Sequence, residues 1–538
     1  MAELHLASAV EAIADAVGER PAIICGSKVV SWRELDERAA RLASVLWDRG
    51  LRPHSKVGLY LHNSPEYLET WLAALKIRAV PVNINYRYVA DELGYLVDNS
   101  DCEALVFSGD LAEHVHDVLV TRDLSCVLQV DGGDSGLIDQ AMSWGEAVSG
   151  ARPLDPMTRS EDDHYLLYTG GTTGLPKGVI YRMGGLTREL ATLVGPFIGN
   201  FEPICSSEDI AAAASAANEA GTALTSLILP PLMHGTGMSL AQLTLLSGGT
   251  VVLVEGGGLD AAGALDIFEA TEASVLAVVG DAFARPLVAE LQNRVEQGRP
   301  VDLSALKLVM SSGAMLSAET KERLVELAPQ ALIVDTLAAS EAPMGSSVTS
   351  AAGGPATTVF TLRPGTRVLD AVDADVEPGS GESGRVAVPT DNPIGYYKDP
   401  AKTAETFREI AGERYSLPGD WATVEADGTI RLLGRGSHCI NSAGEKIFPE
   451  EVEEALKSHP AVMDALVVGV PDDRWGSRAD AVVSLRSGHT AEAEELQRHL
   501  KEHLAAYKVP KNITIVDMVP RAPNGKADYR AAMKLVST

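Results

Sequence analysis

The sequence has little positive charge, no long apolar run and no cysteine pattern, and each shortage removes a class of function. Lysine and arginine number 45 against 74 aspartates and glutamates, a formal net charge of −29. A field of that sign repels phosphate backbones and anionic lipid, which argues against nucleic-acid or membrane-surface binding. Solubility explains most of the charge, and an anionic substrate would need its own local cluster of cations. No apolar run approaches the roughly 18 to 20 residues that span a bilayer, so no integral membrane segment is expected. The N-terminal stretch MAELHLASAVEAIADAVGE is acidic and amphipathic, without the basic stretch and apolar core of a signal peptide. Cys25, Cys102, Cys126, Cys205 and Cys439 are odd in number and never spaced as CxxC, so neither a disulfide framework nor a zinc site follows from them. A cytoplasmic protein is the expectation.

What is present is enough for two or more folding units, since 538 residues exceed one core. Ser31 and Glu34 form an S-x-x-E capping box, Leu35, Ala39, Leu42, Ala43 and Leu46 follow at helical spacing, and Gly50 supplies a stop. Short apolar runs at Lys56–Tyr60, Ala104–Phe107, Val251–Val254, Val275–Val279, Leu306–Met310 and Ala331–Val334 are separated by helix-length segments. Buried strands alternating with helices predict α/β architecture with largely parallel pairing. From about Asp370 the texture turns to Gly, Pro, Asp and short β-like runs. Near Gly434 a second α+β unit of about 100 residues begins, with a helix at Pro449–Ser458, strands at Ala465–Val470, Ala481–Leu485 and Ile513–Val516, and a helix over Ala491–Ala506. The string Gly379-Ser-Gly-Glu-Ser-Gly384 satisfies GxGxxG but precedes a strand-like run, so it reads as a turn and not a dinucleotide fingerprint.

The strongest chemical signal is Tyr168-Thr-Gly-Gly-Thr-Thr-Gly-Leu-Pro-Lys-Gly178, directly after the apolar run Tyr165–Leu167. Glycines let backbone N–H groups approach phosphate oxygens, threonines add hydroxyl donors, and Lys177 adds a point charge. A polyphosphate suits such a loop better than the bland alternative, a surface hairpin rich in Gly and Thr. No Gly-Lys-Ser/Thr is present, so it is not a Walker A loop.

Here the sequence resembles the adenylate-forming superfamily of acyl-CoA synthetases, amino-acid adenylation domains and firefly luciferase, along nearly the whole chain. It is most similar to actinobacterial fatty-acid and steroid side-chain acyl-CoA ligases, through DNSD (98–101), GDAFARPL (280–287), GYYKDPAKTAETF (395–407), LPGDWA (417–422), GEKIFPEEVE (444–453) and AYKVPK (506–511). The resemblance implies a large N-terminal adenylate-forming domain, residues 1–434, of parallel-rich sheets with helices and a β-rich subdomain. It also implies a small mobile α+β C-terminal lid domain, residues 435–538, with its hinge near 436–438 at Ser437.

The implied activity is attack of a carboxylate on the α-phosphate of ATP, giving acyl-AMP and pyrophosphate, then thioester formation with CoA. Two anions must meet, so the site has to supply cations, a metal and positioning. By resemblance, Thr169, Gly170, Gly171, Thr172, Thr173, Gly174 and Lys177 hold the β- and γ-phosphates. Glu341 helps hold Mg²⁺ beside the hydroxyl of Ser340, an arrangement normal for this ion. Asp420 accepts the ribose hydroxyls, Arg435 contacts ribose or phosphate, and Lys526 bridges the acid and the α-phosphate. Met233, His234, Asp281, Gly313, Ala314, Leu337, Ala338 and Ala339 line the acyl pocket, with His234 as its gate. Taken singly, Glu341 would be an ordinary solvated carboxylate and Lys526 a lysine on a Gly turn; their place in the set raises them.

Two positions depart from the family. Leu337 stands where many relatives carry the aromatic that stacks on adenine, although the steroid-type relatives also lack it. Ala443, before Gly444, stands where close relatives have a second glycine lining the pantetheine tunnel of CoA. One added methyl in a tight passage costs about 1–3 kcal/mol, which leaves open an enzyme that only adenylates and passes acyl-AMP to a partner ligase or carrier protein. The mostly small pocket residues favour a bulky apolar acid, a steroid or polycyclic terpenoid first and a long fatty acid second. A homodimer is left open.

Overall fold

The computed structural model describes residues 4–132, 136–169, 176–256, 258–436, 440–442, 445–472, 476–504, 506–522 and 525–536. The helix expected after Ser31 forms as Trp32–Asp48, and an N-terminal helix, Leu6–Val17, precedes it. Ser31 Oγ accepts from Glu34 N at 3.2 Å and the Glu34 carboxylate accepts from Ser31 N at 2.8 Å, while Gly50 follows at φ +95°. Trp32, Leu35, Ala39, Leu42, Ala43 and Leu46 form its buried face.

The apolar runs become the centre of two sheets. In the larger, Pro21–Cys25, Thr250–Leu253, Thr225–Ile228, Val275–Val278, Leu308–Ser312 and Leu332–Ala339 lie side by side and all parallel. Thr250–Leu253 and Val275–Val278 are buried at every residue, as strands covered on both faces by helices require. The second sheet contains Cys102–Ser108, Lys56–Tyr60, Val80–Asn83, His164–Thr169 and Lys177–Arg182 in that spatial order. The first of these pairings are parallel, and the last two strands form an antiparallel hairpin across the glycine-rich loop.

Beyond Ala342–Thr349 the larger sheet turns antiparallel and passes through Val359–Leu362, Ile430–Arg435, Asp420–Val424 and Ser383–Pro389. The textural change near Asp370 marks this β-rich part. The GxGxxG string is a turn, with Gly379 and Gly381 both at positive φ ahead of the strand Ser383–Pro389.

The small C-terminal domain has a three-stranded sheet of its own. Val462–Asp472 runs antiparallel to Gly476–Leu485, which pairs in parallel with Ile513–Val516. Helices Pro449–Lys457 and Ala493–His503 cover one core, where Ile447, Val452, Leu456, Leu496 and Leu500 are buried together. A third helix of this domain, Tyr529–Val536, has no counterpart among the expected elements, and its Ala532 packs on the opposite face of the sheet with Leu466 and Val482.

This domain rests on the large one. Arg285 Nη1 donates to Met463 O at 2.8 Å, Arg486 pairs with Glu319 at 2.7 Å, and Gly525 lies against Ala282. No helix among the described residues is long and apolar enough to cross a membrane.

Candidate adenylate-forming site

The site is assembled where the two sheets and the small domain meet. Strands Leu332–Ala339 and Ala342–Thr349 form a hairpin whose tip is Ser340-Glu341. The tip projects from the larger sheet and is held by tyrosines of the second. Tyr181 Oη donates to Ser340 O, and Tyr396 Oη donates to the Glu341 carboxylate at 2.5 Å. Burial, followed by the charge of Glu341, keeps both phenols protonated. Neither tyrosine was assigned a role from sequence. Tyr396 lies within the quoted GYYKDP string, but its partner is 55 residues away and only the tertiary fold brings them together.

Asp420 and Arg435 face each other across adjacent strands, with Nε 3.7 Å from Oδ1. Asp420 is buried, and its Oδ2 has no hydrogen-bond partner among the described residues. Burial raises its pKa; Arg435 pulls it back and Glu341 pushes it further up. An orphaned buried carboxylate oxygen is costly unless a ligand completes it, which fits a sugar carrying two hydroxyl donors. Gly434, at φ +109°, gives Glu450 of the small domain room beside this strand, because a Cβ there would stand 2.1 Å from the Glu450 carboxylate. Gly434→Ala is therefore expected to destabilise the protein by about 1–3 kcal/mol through backbone strain and displacement of Glu450. Thermal melting tests this; an unchanged Tm would mean the Glu450 contact is unimportant.

Lys526 arrives on the short connection before the last helix. Ala522 N donates to Lys526 O and Gly525 N to Ala522 O, each at 2.8 Å, while Arg521, paired with Asp464, donates to Gly525 O. Gly525, at φ +80° against Ala282, allows the close approach to the large domain. The ammonium keeps access to solvent, yet protein crowds it on several sides, and that desolvation followed by the nearby Arg435 charge lowers its pKa. His234 lies close enough to feel Lys526 and Arg87. Desolvation, reinforced by these charges, brings its pKa down to about 4, so the imidazole is neutral near pH 7. Its Nε2 is buried without a hydrogen-bond partner among the described residues. Glu341, Asp420, Arg435, Lys526 and His234 thus form one electrostatically linked set.

The residues expected to form the acyl wall gather around His234, which precedes helix Gly235–Leu246. Asn83 braces it, donating to Met233 O at 2.6 Å and to Tyr168 O at 2.8 Å, so one side chain ties the pocket loop to the strand leading into the glycine-rich loop. Gly313, at φ +84°, faces Thr236 across this wall, and Ala314, Ala338 and Ala339 are half-buried.

Three of the expected site side chains are engaged with protein groups. Asp281 accepts from Ser317 N at 3.0 Å and pairs with Arg285 at 3.0 Å, so it braces two helices and offers no open carboxylate to a pocket. Leu337, expected to line the acyl pocket, alternates inward on its strand and is buried with Ala342, Met344 and Phe360 in the β-rich core. Lys177 is already paired with Asp399 at 2.7 Å, and Asp399 also caps helix Pro400–Thr406 by accepting from Lys402 N. Thr169 is the last residue of strand His164–Thr169, at the entrance to the glycine-rich loop. Gly170, Gly171, Thr172, Thr173, Gly174, Ser437, Ala443 and Gly444 lie outside the described residues.

A separate cleft of about 850 Å³ beside the N-terminal helix is lined by Glu11, Asp36, Lys76 and Arg159. Lys76 pairs with Glu11 and Asp36, and Arg159 with Glu11, so those charges are spent on one another.

The chain matches the AMP-binding enzyme family over residues 10–393 and the C-terminal domain of AMP-binding enzymes over residues 451–526. The chain belongs to the AMP-binding enzyme family. Among its relatives, the 3-oxocholest-4-en-26-oate–CoA ligase of Rhodococcus rhodochrous is 41% identical over 98% of this chain and 95% of its own length. The medium/long-chain-fatty-acid–CoA/3-oxocholest-4-en-26-oate–CoA ligase of Mycobacterium tuberculosis strain H37Rv is 42% identical, again over 98% and 95%. The crystal structure of the anthranilate CoA ligase AuaEII with anthranoyl-AMP superimposes with a TM-score of 0.80 over 100% of this chain and 97% of that one, at 21% identity. That likeness establishes the fold of this AMP-binding enzyme, and the relatives place it among the AMP-forming acid–CoA ligases.

Proposed function

We propose that this enzyme converts a bulky apolar carboxylic acid, a steroid side-chain acid or a long-chain fatty acid, ATP and CoA into acyl-CoA, AMP and pyrophosphate. The observation that carries the reading is the docking of Gly525 on Ala282, which holds Lys526 against the large domain within electrostatic reach of Arg435 and His234. In the first half-reaction a carboxylate oxygen of the acid attacks the α-phosphorus and the bond to the bridging oxygen of pyrophosphate breaks. Lys526 attracts both anions and offsets charge as they meet. Asp420 accepts the ribose hydroxyls, Arg435 fixes its position and adds positive charge, and neutral His234 closes the acyl pocket without adding a charge to an apolar site. Oxygen donors of the Ser340-Glu341 tip suit Mg²⁺, which when bound neutralises phosphate charge there. Tyr396 and Tyr181 keep that tip in place. In the second half-reaction the CoA thiolate displaces AMP from the acyl carbon.

Relatives named as CoA ligases along 98% of the chain support the complete reaction, and nothing favours one that stops at acyl-AMP. The small, uncharged side chains of Gly313, Ala314, Ala338 and Ala339 suit a wide apolar acid better than a narrow or charged one. ATP and CoA as substrates fit a cytoplasmic enzyme.

Mass spectrometry of the enzyme with ATP, Mg²⁺ and a panel of fatty, steroid and diterpenoid acids tests this. Acyl-AMP is expected without CoA and prompt acyl-CoA after its addition, with steroid side-chain acids foremost. Persistent acyl-AMP in the presence of CoA would overturn the thioester step, and absence of any acyl-AMP would overturn the whole reading.

A further inference from the structure

The small domain carries a group of side chains that adenylation does not use. On helix Ala493–His503, His499 and His503 are four residues apart and Glu502 is three from His499, so all three share one face. One potential ligand atom from each lies within 4.8 Å of the other two. The imidazole rings are 4.4 Å apart between centroids, and a third, His459, stands edge-on to His499 at 5.0 Å.

Hydrogen bonds around the rings fix which nitrogens are available. His499 Nε2 lies 3.1 Å from Ala455 O and 2.8 Å from Ser458 Oγ, whose own proton goes to Ala455 O at 2.7 Å. A carbonyl oxygen only accepts, so Nε2 carries the proton and Nδ1 keeps its lone pair. His503 Nδ1 lies 2.8 Å from His499 O, and the same reasoning leaves Nε2 of His503 as the lone-pair nitrogen. Imidazoles that ligate metals hold their second nitrogen in this way, with the N–H donated to a backbone carbonyl. His459 is engaged elsewhere: its Nδ1 accepts from Ala461 N and its Nε2 faces Glu495 at 3.5 Å.

We propose that His499, His503 and Glu502 form a binding site for a divalent transition-metal ion of the Zn²⁺ class on the small domain. Two imidazole nitrogens and one carboxylate select Zn²⁺, Ni²⁺ or Cu²⁺ over Mg²⁺ and Ca²⁺, which prefer all-oxygen shells, and water completes the coordination. The net charge of −29 favours cation capture. All three ligands lie on one helix, and the ion would hold the His499 ring in the orientation that bonds Ser458 and Ala455 at the end of helix Pro449–Lys457, which stabilises the domain. This site is independent of the proposed reaction.

The test is Zn²⁺ titration of the full, tag-free chain by isothermal calorimetry without nucleotide, after chelator treatment, with thermal melts in parallel. The expected result is one Zn²⁺ per chain and a raised Tm. Both His503→Ala and Glu502→Gln, at exposed positions, should weaken binding by at least about tenfold, the equivalent of one lost interaction of about 1.4 kcal/mol, and diminish the Tm gain. Glu495→Gln should change neither. No Zn²⁺ uptake, or uptake equal in wild type and folded His503→Ala, would overturn the site.

Discussion

Lys526→Ala is expected to slow acyl-AMP formation by about 10²- to 10³-fold, the usual cost of removing one donor that stabilises developing charge. The same variant should convert supplied acyl-AMP and CoA to acyl-CoA at close to the wild-type rate, since the α-phosphate attack is already complete. The split arises from geometry. Lys526 reaches the large domain only because Gly525, at positive φ, packs on Ala282 and the Arg521–Asp464 pair steadies the connection behind it. The lysine acts as a cation, so its protonation matters. Desolvation and Arg435 both lower its pKa, and kcat/KM for adenylation should therefore fall on the alkaline side beginning below the usual lysine range. Lys526→Arg should move that limb upward. Equal loss in both half-reactions would instead mean that Lys526 holds the two domains together.

Asp420→Ala is expected to raise KM for ATP by about ten- to a hundredfold, as loss of hydrogen bonds to a charged group worth about 1.5–3 kcal/mol implies. Ribose lies away from the reacting atoms, so kcat should change much less. The wild-type KM should rise on acidification starting above the ordinary carboxylate range, because the raised pKa lets Asp420 protonate early and lose acceptor capacity. Stability runs the opposite way. A carboxyl whose folded pKa lies above its unfolded value favours folding most at low pH, and that advantage is lost as pH rises from the unfolded to the folded value. Asp420→Asn should consequently raise Tm near neutral pH and leave it unchanged in strong acid, while still raising KM. A fall in kcat at constant KM would place Asp420 in the chemistry and not in nucleotide holding.

The capping box at Ser31 and the parallel core strands were legible because each depends on neighbouring residues or on alternation along one segment, whereas the antiparallel pairing of His164–Thr169 with Lys177–Arg182 across the glycine-rich loop was not anticipated. The final helix, Tyr529–Val536, was missed. Eight residues give little periodic signal, and its apolar face is explained only by the sheet it covers. The partners of Leu337 and Asp281 were hidden for a related reason. A motif position says which residues stand together in sequence, whereas the strand face and the facing helix decide where a side chain points.

The sequence by itself determined the fold class, the two-part organisation and the residue types required for joining two anions, through short-range patterning and ordered motifs. Tertiary structure alone decided that Tyr181 and Tyr396 clamp the Ser340-Glu341 tip, that Asp399 holds Lys177, that Asp420 is buried with an open oxygen, and that Lys526 comes within electrostatic reach of Arg435 and His234. These partners are separated by 55 to more than 200 residues, and the charge each one feels depends on burial and on neighbours that only the packed chain supplies.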